Sequence, residues 1–161
     1  IAMFFIGDRL LKQLALEQGY GQSTAILGDW LQFRLVFNPN IAFSLPLNGN
    51  FLLSIATLMV MGLFFAIIYL IINKKYRNGL ILPLTFILFG AISNLLDRYL
   101  YGAVVDYFDF RYFTILNLAD TMISIGVIII FIQNIANSKT NRYERSGYNS
   151  HERSEKNTTN Y

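Results

Sequence analysis

The chain has 161 residues, 54% of them hydrophobic and 14% charged, with a mean hydropathy of +0.42; ordinary soluble domains carry about 25% charged residues, so the composition points to a small polytopic membrane protein of one domain. There is no Cys, which removes thiol nucleophiles, disulfides and zinc ribbons, and the single His, His151, sits in a polar tail, which argues against a Ser-His-Asp triad or a His-ligated metal site and leaves carboxylates as the main acids and bases. The net charge is +3, but from Lys139 to Tyr161 five Lys or Arg stand against three Glu, so the rest of the chain is close to neutral and no nucleic-acid-binding surface follows.

Ile1 to Leu16 reads as a helix carrying Asp8, Arg9 and Lys12. Seven residues before Asp8 are too few to cross a bilayer, so the expectation is a first span cut short, with four spans and both termini in the cytoplasm in an intact chain. The alternative is an interfacial amphipathic helix. Leu31, Phe33, Leu35 and Phe37 alternate with Gln32, Arg34 and Val36, a strand with one apolar face. Asn38, Pro39 and Asn40 make a turn, and Ile41 to Leu45 are expected to return as a second strand, giving a small extracytoplasmic β-sheet cradle on the membrane surface.

Phe51 to Ile72 is an uncharged run of 22 residues, enough to cross a hydrocarbon core about 30 Å thick at about 1.5 Å per residue. A second run covers Gly79 to Leu96, ended by Asp97 and Arg98, with Pro83 in its first turns, where a missing N–H costs least. A third runs from Leu118 to about Asn137, interrupted by Asp120 near its start. Lys74, Lys75 and Arg77 follow the first run, and Lys139, Arg142 and Arg145 follow the last. The positive-inside rule places both clusters, and the C-terminus, in the cytoplasm. The segments 20–50 and 97–117, with formal charges of 0 and −1, then face the other side. Residues 1–138 are expected to form the membrane-embedded domain and 139–161 a disordered polar cytoplasmic tail, which has no apolar periodicity to offset the entropy of ordering it.

Outside the tail there are seven carboxylates, and four of them, Asp97, Asp106, Asp109 and Asp120, fall between Leu96 and Thr121. Ionisable groups at a membrane boundary are costly and carry a functional hypothesis by default. Asp120 opens the last span and Asp106 lies on the preceding loop. If the loop brings them together, the two cannot both ionise cheaply, so one holds a proton while the other takes one from water. That is the chemistry of an aspartic peptidase.

The motifs around these residues are Asp8-Arg9-Leu10-Leu11-Lys12, Asn38-Pro39-Asn40-Ile41-Ala42-Phe43-Ser44, Gly90-Ala91-Ile92-Ser93-Asn94-Leu95-Leu96-Asp97-Arg98, Val104-Val105-Asp106-Tyr107 and Asn117-Leu118-Ala119-Asp120. In that order they resemble the D-x-x-x-K, N-x-G-A-A-F, G-x-x-G-N-x-x-D-R, V-V-D-F and N-x-A-D motifs of the type II, or lipoprotein, signal peptidases. Each is weak alone, and the series of five is specific. The resemblance implies an aspartic endopeptidase that cuts a prolipoprotein before its diacylglyceryl-modified Cys in the bacterial inner (plasma) membrane, with Asp106 and Asp120 catalytic. Asp8, Lys12, Asn38, Asn94, Asp97, Arg98 and Asn117 would bind substrate or support the site. It implies no metal or cofactor, a substrate and membrane lipid as partners, and an active site on the extracytoplasmic side; the chain is expected to act as a monomer. Departures from the pattern are Asn40 in place of Gly, Ile41 in place of Ala, and Ser93 where a Gly often precedes the Asn.

Other readings are weighed residue by residue. Asp120 at a helix start also suits an N-cap, and the helix N-terminus favours its ionised form, which leaves the shared proton on Asp106. Asp109, three residues from Asp106, is expected to be a solvated surface charge. Asp97 and Arg98 suit a boundary ion pair as well as a substrate contact, and Asp8 with Lys12 a surface i,i+4 pair. Lys12 with Ser44 is a thin basis for a Ser-Lys hydrolase. An ion or proton carrier would place its acids at mid-span, whereas these gather at one face.

Overall fold

In the computed structural model of the chain the described residues are 1–39, 49–74, 79–136 and 138. The expected return strand Ile41–Leu45, Ser44, most of the basic loop and the tail lie outside them. The elements are α1 (Ala2–Gln18), β1 (Ser23–Leu27), β2 (Leu31–Asn38), α2 (Gly49–Ile72), α3 (Ile81–Tyr101), β3 (Val104–Phe110), β4 (Ile115–Leu116) and α4 (Leu118–Ala136). Two compact units are distinguished: Ile1–Val127, which holds every residue argued from below, and Ile128–Tyr161, whose described residues are helical.

Among the described residues three helices are long and apolar enough to cross a membrane: Leu53–Ile72, Ile81–Tyr101 and Leu118–Ala136. Leu58, Met59, Phe65 and Ile72 of α2 are exposed, as expected of a helix whose solvent is lipid. The more buried α3 gathers its polar residues Ser93, Asn94 and Asp97 on one covered face. Two glycines let α4 approach α3 closely. A Cβ on Gly90 would stand 2.5 Å from the Ala119 carbonyl oxygen, and one on Gly126 2.5 Å from that of Pro83; small residues serve this purpose between membrane helices. Edge-on ring contacts tie α1 to α3, with Phe5 and Phe89 centroids 5.7 Å apart.

The strands form one antiparallel sheet in the order β1-β2-β3-β4. Ala15 of α1, Leu35 of β2, and Val105 and Tyr107 of β3 make its buried core, with Leu11, Leu16, Phe33 and Phe37 packed around them. The strand expected at 31–37 is present, but its described partners differ from expectation. The segment after Asp97 is not a long loop: α3 continues to Tyr101 and ends on Gly102, whose left-handed φ of 74° turns the chain directly into β3. Pairing of β2 with β3 joins residues about 70 positions apart, such as Val36 with Asp106, a relationship that local patterning cannot reveal. Strand β1 is exposed throughout and has no amphipathic signature; it is held by its backbone pairing with β2.

Candidate active site

Asp106 sits on β3 three residues after the α3–β3 turn, and Asp120 lies in the first turn of α4. One side chain connects them. Asn117 Nδ2 donates to Asp106 Oδ1 at 2.7 Å, and Asn117 Oδ1 accepts the Asp120 backbone N–H at 2.8 Å. Asn117 is thus the N-cap of α4 and at the same time a donor to the other aspartate. Asn38, at the end of β2, donates to Asp106 Oδ2 at 3.1 Å, and Asn94 of α3 donates to Asp120 Oδ1 at 2.8 Å. The fold therefore brings Asn38, Asn94, Asp106, Asn117 and Asp120 into one polar cluster.

Burial pushes the Asp106 carboxyl up to about 6; the Asp120 charge adds to this, while the bonds from Asn38 and Asn117 oppose it. Loss of hydration disfavours the carboxylate more than the two amide donors restore it. Asp120 faces the partial positive charge of a helix N-terminus.

Below the pair lies a second layer in which Asp8, Lys12, Ser93 and Asp97 are fully buried and Arg9 is partly so. Lys12 Nζ stands 2.9 Å from Asp8 Oδ2 and 2.7 Å from Asp97 Oδ2, and donates to Asn94 Oδ1 at 3.0 Å. Arg9 pairs with the other oxygen of Asp97. Asp8 also accepts from Ser93 Oγ at 2.6 Å, from the Tyr107 hydroxyl at 2.9 Å and from the Ala119 N–H at 3.1 Å. Asp97 takes the Val105 N–H at 3.2 Å. Two carboxylates and two cations balance each other, and the network reaches Asp120 through Asn94.

Several sequence expectations are corrected by this arrangement. Asp8 and Lys12 are an i,i+4 pair, but neither is exposed, so they are not a surface pair. Asp97 finds its partners in Arg9 and Lys12 of α1, while its neighbour Arg98 donates to the Asn94 carbonyl at 3.2 Å; the boundary ion pair of Asp97 with Arg98 is not formed. Asp109 is a paired charge, held by Arg34 Nε at 2.6 Å. Lys12, enclosed by two carboxylates, is not poised as a free base. Sequence reasoning missed Arg9, Ser93 and Tyr107. Arg9 adjoins a motif residue, Ser93 departs from the Gly of the motif by adding a hydroxyl, and Tyr107 adds one where the motif has Phe. In a membrane protein each such unexplained polar atom is a signal.

Beside Asp120, α2, α3 and α4 line an open cavity of about 470 Å³. Its walls are apolar, including Met59, Leu63, Ile87 and Ile123, and its polar end is Asn94, Arg98 and Asp120. A long apolar ligand with one polar or scissile group at its end fits that distribution.

Residues 1–136 match the family described as Signal peptidase (SPase) II. The lipoprotein signal peptidase of Clostridium tetani is 34% identical over 139 residues, covering 82% of this chain and 87% of that protein. That of Brevibacillus brevis is 34% identical, covering 84% and 91%. The solved structure of a bacterial membrane enzyme, determined at 2.3 Å, superposes with a TM-score of 0.73 at 25% identity, covering 85% of each chain. With its family match spanning nearly the whole of the described chain, this multi-pass membrane protein belongs to the signal peptidase II family.

Proposed function

We propose that the chain is the aspartic endopeptidase that removes signal peptides from prolipoproteins by cleaving before a diacylglyceryl-modified cysteine, with Asp106 and Asp120 as the catalytic pair. The observation that carries this reading is Asn117, which bonds both residues and holds one on a strand and the other on a helix at the edge of an apolar cavity. In the proposed reaction the Asp120 carboxylate takes a proton from a water molecule as its oxygen attacks the scissile carbonyl carbon. Asp106 gives its proton to the carbonyl oxygen. Collapse of the tetrahedral intermediate breaks the C–N bond as one of its hydroxyls returns a proton to Asp106, while the proton held by Asp120 passes to the leaving amine, so both acids end as they began. Arg98, at the polar end of the cavity, is placed to donate to the peptide backbone, and Asn38, Asn94 and Asn117 orient the acids. Asp8, Lys12 and Asp97 support the site from beneath. No cofactor or metal is called for.

In this reading the enzyme is a monomer of the bacterial inner membrane with its C-terminus in the cytoplasm and residues 139–161 as a disordered tail. Helix α1 is a fourth membrane helix: Met3, Ile6, Leu10 and Leu14 are exposed at helical spacing while Asp8, Lys12 and Ala15 are buried, so its outward stripe is suited to lipid. The sheet then forms a cradle at the extracytoplasmic surface, and the cavity receives the lipid-bearing end of the substrate. The test is cleavage of a diacylglyceryl-modified prolipoprotein by the purified protein, beside Asp106→Asn and Asp120→Asn. Loss of cleavage in both variants with unchanged folding is expected; activity surviving in either one sinks the assignment.

A further inference from the structure

The strand that carries Asp106 is fastened to α4 on both of its faces. Successive side chains of a strand point to opposite faces, so Tyr107 turns away from the side on which its neighbour Asp106 meets Asn117. Val105 and Tyr107 face α1 and share a buried core with Ala15 and Leu35. At the edge of β3 between these two faces, Asn117 Nδ2 also lies 3.4 Å from the Val105 carbonyl oxygen. The start of α4 thus straddles the edge of the strand.

On the α1 side the link is made by a hydroxyl. Tyr107 donates to Asp8 Oδ1 at 2.9 Å and accepts the Leu118 N–H at 2.9 Å. Burial, and after it the Asp8 charge, pushes this hydroxyl above its ordinary value, so it stays a donor to Asp8 across the range in which carboxylates titrate. A helix leaves its first N–H groups without partners inside the helix. In α4 three in a row are taken by three different side chains: Leu118 by Tyr107, Ala119 by Asp8 and Asp120 by Asn117. Asp8 is held in turn, since its other oxygen accepts Ser93 Oγ at 2.6 Å and pairs with Lys12 at 2.9 Å. The two hydroxyls that depart from the sequence motifs, Ser93 and Tyr107, therefore converge on one carboxylate, one on each oxygen. A phenylalanine at 107 would fill the same space and leave the Leu118 N–H, which opens the helix of Asp120, without that acceptor.

We propose that Tyr107 is a positioning residue for the reaction: through Leu118 and Asp8 it fixes the first turn of α4 against β3 on the face opposite Asn117, and so sets where Asp120 stands relative to Asp106. Held by Asn117 alone, the turn can pivot about a single side chain. A second attachment on the other face removes that freedom. Displacing a reacting group by about 1 Å costs on the order of 100-fold in rate, and a pivot of the turn moves Asp120 by a fraction of that. Tyr107 does not line the cavity beside Asp120, so loss of its hydroxyl falls on kcat and spares KM. The inference rests on the reading of Asp106 and Asp120 as the catalytic pair and adds to it a residue that touches neither substrate nor reacting atoms.

The test is Tyr107→Phe in the full chain, which keeps the ring and removes only the hydroxyl. It is assayed on a diacylglyceryl-modified prolipoprotein beside the parent, Ser93→Ala and Gly126→Ala, and amide hydrogen exchange is followed by mass spectrometry. Expected for Tyr107→Phe is a fall in kcat of about 10-fold with KM within about twofold, together with faster exchange in a peptide covering residues 117–121 and unchanged exchange in α2. Ser93→Ala, which frees the other oxygen of Asp8, should lower kcat by a smaller factor, again without moving KM. Gly126→Ala loosens the packing of α4 away from Asp120 and measures the effect of general destabilisation; a loss of kcat in Tyr107→Phe no larger than in Gly126→Ala overturns the inference. Faster exchange at 117–121 with parental kcat also overturns it, since the turn is then freed without consequence for the acids. Either result leaves the peptidase reading intact as long as the parent cleaves, whereas a parent that does not cleave overturns the reading on which the inference rests. Should Tyr107→Phe fail to fold, Ser93→Ala decides the matter, and an unchanged kcat there overturns the inference.

Discussion

Asn117 and Asp106 are joined by a 2.7 Å hydrogen bond while the same asparagine caps the helix that carries Asp120. One residue thereby fixes the separation of two acids that arrive on different elements. Asn117→Ala removes the donor to Asp106 and the cap together. The cap is worth about 1 kcal/mol, and misplacing an acid by about 1 Å costs on the order of 100-fold in rate. Asn117→Ser separates the effects, because serine caps a helix but its hydroxyl is too short to reach Asp106. Both variants should lose about 100-fold in kcat with KM little changed, and only Asn117→Ala should show a lowered Tm.

The raised carboxyl of Asp106 sets a direction for pH dependence. Its folded value of about 6 lies above the ordinary 3.8, so the folded state binds this proton more tightly than the unfolded state. The stability it contributes is complete below about 3.8 and is lost as pH rises through about 6. Above that, the folded chain holds a carboxylate whose burial is only partly compensated. Asp106→Asn should therefore be inactive yet more stable at pH 7.5, by about 1 kcal/mol once allowance is made for an amide oxygen accepting only one of the two asparagine donors. The gain should vanish at pH 4. In the active enzyme, kcat/KM should fall on the alkaline side with an apparent midpoint near 6, a value belonging to the pair. Thermal melts at the two pH values and a pH–rate profile check both statements.

How much of this was legible beforehand depended on whether the signal was local. The three spans follow from uninterrupted apolar runs, and the 31–37 strand from alternation, because both are periodicities within one segment. Asp106 and Asp120 stood out because carboxylates are scarce in this chain and because two motifs frame them. The buried layer was not legible, since Arg9, Lys12 and Asp8 meet Ser93 and Asp97 across more than 80 positions. Asp97 next to Arg98 looked like a pair in sequence. On a helix, adjacent residues point about 100° apart, and Asp97 turns to α1. The segment Val104–Phe110 has the aromatic and β-branched residues of a strand, but its partner β2 lies about 70 positions away, so the sequence by itself gives only a loop there.

Lys12 offers a test of the layer beneath the site. It is fully buried between Asp8 and Asp97 and also bonds Asn94, which holds Asp120. Lys12→Met leaves the hydrophobic stem but strips two buried carboxylates of their shared counter-ion. Removing one partner from a buried ionic group costs about 3–5 kcal/mol. A lowered Tm in detergent and reduced yield are expected. Lys12→Met with Asp8→Asn should recover part of the Tm, since Asp97 keeps Arg9 as its cation whereas Lys12 is the one cation paired with Asp8 among the described residues. Recovery of stability without recovery of rate would show that the Lys12–Asn94 bond also orders the acid above it.

Two glycines distinguish packing from positioning. Gly90 and Gly126 both face a carbonyl oxygen at 2.5 Å from a virtual Cβ, Gly90 that of Ala119 and Gly126 that of Pro83. The obstacle in each case is backbone, so Ala at either position forces α3 and α4 apart, with a cost of about 1–3 kcal/mol. Ala119 immediately precedes Asp120 and its N–H is bonded to Asp8, whereas Pro83 is two helical turns from Gly90 along α3 and touches no acid of the site. Gly90→Ala should therefore lower both Tm and kcat, the latter by about 10-fold or more as Asp120 is displaced from Asn94. Gly126→Ala should lower Tm by a similar amount and leave kcat within about twofold, because its clash is not transmitted to a reacting group. Equal losses of rate in the two variants would mean that the whole helix pair, not the contact at Ala119, sets the position of Asp120.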